Sequence, residues 1–178
     1  MEATEALAAV ADHLAHAGYQ IQNTTIGGRD VLVARRSDFR WRWLATRLHT
    51  FVVVFTVSEL DESLAEELSA AAQQHAIKHK GGLPRGQQTG TATVAVFLSE
   101  PDQSSVRRWF SRRPRHRFAA LRFPVLVELD SATVTYFRGR LRAGFVYSSH
   151  LRAVVQSIIV STVPPPPPPG AVAEACEV

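Results

Sequence analysis

The sequence predicts an α+β fold: a single mixed β-sheet packed by about four helices, in the order α-β-β-β-β-α-β-α-β-β-β-α, followed by a disordered proline-rich C-terminal tail. Three observations predict it. Apolar residues recur at three-to-four residue spacing in two segments, near residues 5 to 17 and 61 to 80. Short β-branched and aromatic runs alternate with glycine and proline breaks. Six consecutive prolines, Pro164 to Pro169, close the patterned part of the chain.

Leu7, Val10, Leu14 and Ala17 mark the stripe of the first helix, with Thr4 as its expected cap and Gly18 as its left-handed stop. Tyr19 to Ile26 and Asp30 to Arg36 flank Gly27 and Gly28. Two glycines between two β-rich runs predict a hairpin, because tight hairpin turns need positive φ angles. In Asp38 to Trp43, Phe39, Trp41 and Trp43 alternate with Arg40 and Arg42, a strand with one aromatic and one cationic face. Phe51 to Val57 reads as a central strand covered on both faces.

Asp61 opens the second helix, whose predicted stripe is Leu64, Leu68, Ala71 and His75. Acids in its first turns and Lys78, His79 and Lys80 in its last oppose the helix dipole. Gly81 and Gly82 stop it. Thr91 to Leu98 is a further buried strand, and Pro101 and Asp102 start a short helix that Pro114 ends. Val106, Trp109 and Phe110 are expected to face inward there, with Arg107, Arg108 and Arg112 toward water. Phe118 to Arg122, Pro124 to Asp130 and Thr133 to Phe137 read as strands, and Leu151, Val154, Val155, Ile158 and Ile159 as the stripe of a last helix beginning near Ser148 or Ser149. Residues 1 to 163 are expected to form one domain, and residues 164 to 178 a polyproline segment and disordered tail.

The chain has 178 residues, enough to bury a sizeable core without disulfides. Its single cysteine, Cys176, excludes an intrachain bridge and a cysteine metal cage. The alanine-rich start carries Glu2, Glu5 and Asp12 and lacks the pattern of an export signal. No apolar run approaches the roughly 20 residues that span a bilayer. A cytoplasmic protein without membrane contact is therefore the expectation, and oligomeric state is not specified.

Net charge is +4, almost wholly from arginine, since Lys78 and Lys80 are the only lysines. Seven arginines fall between residues 101 and 122 against Asp102, while Glu59, Asp61, Glu62, Glu66 and Glu67 form an acidic block. Segregation of this kind permits a cationic face. The anion-binding candidates are Arg85, Arg107, Arg108, Arg112, Arg113 and Arg115, with Arg40 and Arg42 on their strand. Guanidinium groups recognise phosphate and carboxylate bidentately, so nucleic acid and an acidic protein are the two partners expected.

Other constellations have structural explanations at hand. The order helix, three strands, helix, strand is similar to that in the core of restriction-endonuclease-like nucleases. That resemblance implies a fold analogy, since such enzymes need carboxylates and a lysine on adjoining strands to hold a divalent metal. Phe51 to Val57 carries no charge, and Asp30 reads as a hairpin-turn residue. Glu128 and Asp130 share a strand face and form a candidate carboxylate pair, beside the ordinary reading of an acidic turn. His75 and His79 are spaced for metal chelation from one helix, but a packed histidine and a dipole-compensating one are preferred, as for His13 and His16. The loop from Gly81 to Gly90 is polar and holds Arg85, yet lacks the phosphate-loop pattern.

Together these favour a non-catalytic interaction module that uses its arginine-rich face, with no cofactor and no metal. The alternatives are a small, metal-dependent hydrolase or nuclease-like enzyme with a site near the 81–90 loop and Glu128/Asp130, and an adaptor recruited through the polyproline tail.

Overall fold

A hairpin opens the sheet. Gly27 and Gly28 have φ of +60° and +74°, the conformation of a two-residue turn whose twist suits its strands. They join β1 (Gln20–Ile26) to β2 (Arg29–Arg40), with Ile26 opposite Arg29. The computed structural model describes residues 2–40, 46–81, 89–100, 102–113, 120–139 and 145–156. Arg42, Arg85 and Arg115, and the polyproline tail, lie outside these residues.

β2 pairs antiparallel with β3 (Thr46–Thr56), which runs parallel to β4 (Thr89–Ser99) and through it to β5 (Ala120–Glu128). β6 (Thr133–Tyr136) pairs antiparallel with β5, completing a six-stranded mixed sheet in the order β1-β2-β3-β4-β5-β6. Each parallel step needs a crossover. Helices α2 (Glu62–His79) and α3 (Ser104–Ser111) supply them, and both pack on one face of the sheet. Helices α1 (Ala3–His16) and α4 (Phe145–Val155) cover the other. The chain is thus α+β, with one mixed sheet between two pairs of helices.

Alternation along the strands divides the core. Leu32, Val54, Val96 and Val125 stand in one row across four strands and meet α1 and α4, whereas Val33, Val53 and Ala95 meet α2 and α3. Every residue of β4 is buried, as expected of a strand flanked by parallel neighbours and covered on both faces.

Several local expectations need correction. β2 is one strand, not two: Ser37 meets His49 Nδ1 at 2.6 Å across the pair, and Arg36 bonds Asp38 at 2.9 Å, so the polar break is held in register. β5 likewise runs through Pro124, beside which β6 has already ended; a strand with a neighbour on one side accommodates a residue lacking N–H. Thr4 does not cap α1. Its N-cap is Glu2, without a side-chain bond, and Glu100 Oε1 instead accepts the Ala3 N–H at 2.8 Å. Asp61 does cap α2, accepting the Leu64 N–H at 2.7 Å. The buried stripe of α2 is turned from the predicted one: Ala65, Leu68, Ala72 and Ala76 are buried, with Gln73, whose amide donates to Ala120 O at 3.1 Å.

Buried His49 carries a pH prediction. Desolvation, then Arg35, Lys80 and Arg47, hold its pKa below the ordinary value, and desolvation, His79 and Lys78 do the same for His75. A lowered pKa in the folded state means that the unfolded chain binds more protons in acid. The stabilisation is complete above about pH 6.5 and is lost as pH falls from there toward the lowered folded values. Urea unfolding at pH 8 and pH 5 will show lower stability at pH 5, and His49→Gln will reduce that difference.

Candidate anion-binding groove between α2 and α3

Val106 and Phe110, one turn apart, fix the buried side of α3, and Phe110 meets Phe97 edge-on at 5.4 Å. The remaining positions of this short helix then point in three directions. Arg107 turns toward β5, where its Nε donates to Glu128 Oε2 at 2.7 Å, and it also pairs with Asp102 at 3.3 Å. Trp109 turns toward α2 and is half-buried, edge-on to Phe110 at 4.8 Å. Arg108 points outward and is exposed.

Glu128 is fully buried and bound on both oxygens. Oε1 accepts the Gln103 N–H at 2.7 Å, and the Gln103 side chain donates to Ser58 O at 3.1 Å and Ser99 Oγ at 2.9 Å. A buried carboxylate requires such compensation. Its hydrogen bond in turn raises the pKa of Arg107 above the usual guanidinium value. This pair is a brace between α3 and β5. Arg107, expected toward water, is committed to it.

Other arginines serve as braces too. Arg35 donates to Lys80 O at 2.7 Å beyond the end of α2, and Arg36 to Ala17 O at 2.9 Å beyond the end of α1 while lying over the Tyr19 ring. Arg122, buried on β5, donates to Glu66 Oε1 at 2.8 Å. At the end of α3, exposed Arg112 pairs with Glu62 at 3.1 Å. Together with Arg113 and Trp109, these two pairs line a groove of about 340 Å³ between α2 and α3. Its floor is Pro124 of β5 and its upper rim includes Ser63.

The structure thus brings Arg112 and Arg113 together with Trp109, and leaves Arg108 on the outer surface of the same helix. Neither Arg108 nor Arg113 makes a hydrogen bond or ion pair with any described residue. Arg40 closes β2 on the far side of β3 and β4, and its side chain lies outside the description. Arg122, Glu62 and Glu66 are groove residues that sequence reasoning did not select. Only the segregated charge hinted at them.

The remaining candidates separate. β5 ends at Glu128, and Asp130 is exposed in the following turn, so the two carboxylates do not share a site. Thr89 begins β4, whereas Glu128 pairs with Ser99 at the opposite end of that strand, roughly 30 Å away. Asp30 accepts from Thr25 Oγ1 at 3.0 Å across the hairpin, and Phe51 to Val57 carries no charge to join it. His75 and His79 stack at 4.0 Å, with His79 Nδ1 2.9 Å from His75 O. No group of three or more potential metal ligands occurs among the described residues.

A second, wider depression of about 770 Å³ borders Arg29, Glu59, Asp61, Asp102 and Gln103. Its polar groups are largely spoken for: Asp61 caps α2, Asp102 bonds the Ser104 N–H at 2.7 Å and Arg107, and Gln103 is bound to Glu128. No family model, curated protein or solved structure matches the chain. No helix among the described residues is long and apolar enough to cross a membrane.

Proposed function

We propose that the protein is a non-catalytic interaction module whose α3 face captures an acidic segment of a partner protein. The observation that carries this reading is the pair Arg108 and Arg113, exposed and without an acidic partner among the described residues, which flank half-buried Trp109 in the sequence. Arginine and tryptophan are the side chains that contribute most to protein interfaces.

An acidic protein fits better than nucleic acid. Nucleic acid rewards a continuous cationic track, since each neutralised phosphate releases counterions. Here Arg107, Arg112 and Arg122 are already neutralised by Glu128, Glu62 and Glu66, and the last two glutamates stand in the groove itself. A phosphate chain laid across it would meet carboxylates, while a peptide with separate acidic and amide groups would find partners for both.

The test is fluorescence-polarisation titration of a labelled hexaglutamate peptide against the full chain and Arg108→Ala/Arg113→Ala. Two exposed charge contacts of ordinary strength predict roughly ten-fold weaker binding. Equal affinity for both proteins would refute the assignment.

A further inference from the structure

The groove beside these arginines has a composition of its own. Its apolar surfaces are two ring systems, the Trp109 indole and Pro124, and Arg112, Arg113 and Arg122 share its lining with Glu62 and Glu66. Arg122 is held at 2.8 Å by Glu66 and Arg112 at 3.1 Å by Glu62. These pairs position the guanidinium groups before any ligand arrives, lowering the ordering cost of binding. Arg113, at the same rim, is exposed and uncommitted among the described residues.

We infer that this groove is a recognition pocket for an aromatic side chain next to an acidic residue in the partner's segment, the ring lying against Trp109 and Pro124 and the carboxylate meeting Arg113. The volume of about 340 Å³ accommodates a single large side chain and excludes an extended apolar helix. Ring against indole adds stabilisation beyond area burial through offset or edge-on geometry. The flanking carboxylate finds a guanidinium whose planar donors match it. Glu62 and Glu66 remain available as acceptors for peptide N–H groups, and they disfavour a phosphate at the same place.

The inference rests on the proposed binding of acidic segments, and its test separates the two. Three labelled probes are titrated against the full chain by fluorescence polarisation: hexaglutamate, the same peptide with one central tyrosine, and a thymidine hexanucleotide. The tyrosine peptide is expected to bind roughly ten-fold more tightly than hexaglutamate. Trp109→Leu should bring the two peptides to equal affinity, with thermal unfolding confirming that the variant is folded. Trp109→Phe, which keeps a ring, should retain most of the preference and serves as the second variant if leucine impairs folding.

Equal affinity for the two peptides, or a preference that survives Trp109→Leu, overturns the pocket while leaving the acidic-segment reading intact. Failure of hexaglutamate to bind at all overturns the reading beneath it. Tightest binding of the hexanucleotide replaces the peptide with a nucleobase as occupant and overturns the inference.

Discussion

Phe97→Ala will cost about 3–5 kcal/mol of folding stability, the largest loss expected from a single truncation here. Phe97 is fully buried in the central strand β4, stacked on Phe55 at 5.2 Å and met edge-on by Phe110 at 5.4 Å. It therefore joins β3, β4 and α3 in one apolar cluster. The cavity left by alanine would be walled by sheet on two sides, which limits collapse. Because α3 is held to the sheet through Phe110, the same change should loosen the helix that carries the candidate site. Urea unfolding measures the first effect; hydrogen exchange at the amides of residues 106 to 111 measures the second.

Glu128→Ala is expected to cost about 2–4 kcal/mol, combining a small cavity with a buried Gln103 N–H that loses its acceptor. Glu128 is the only fully buried carboxylate among the described residues, and its side-chain oxygens are bound by Gln103, the N-cap of α3, and by Arg107 within that helix. A carboxylate retained for bracing and one retained for chemistry differ in a measurable way. Bracing predicts that the loss appears in unfolding, that Glu128→Gln recovers part of it through the retained acceptor oxygen, and that Arg107→Ala adds little once Glu128 is gone. Additive losses from the two positions would show that the pair is not one unit.

These expectations also mark where the sequence was informative. Alternation and glycine placement specified the β1–β2 hairpin, the central position of β3 and both crossover helices, because each rests on local periodicity or on a residue whose backbone freedom is required. The misread segments depend on partners far along the chain. Ser37 looks like a break between two strands until His49 is placed opposite, and Pro124 looks like a break until the extent of β6 is known. Gln73 looks solvent-facing until the Ala120 carbonyl is brought to it.

The candidate site followed the same rule. A run of arginines was visible, but their division between brace and surface was not, since Arg107 and Glu128 are 21 residues apart and Arg122 and Glu66 are 56 apart. Trp109, expected inward because it shares the apolar stripe of α3 with Phe110, does pack against the core cluster, but it is only half-buried and also lines the groove, since an eight-residue helix on a sheet buries only its central line fully.

The most direct test of the α3 surface is a backbone-amide NMR titration of the full chain with the tyrosine-containing acidic peptide. Resonances of residues 108 to 113 and 62 to 66 should shift together and saturate at one affinity. Shifts confined instead to residues 58 to 61 and 102 to 103, around the wider depression, would place binding elsewhere and contradict the account.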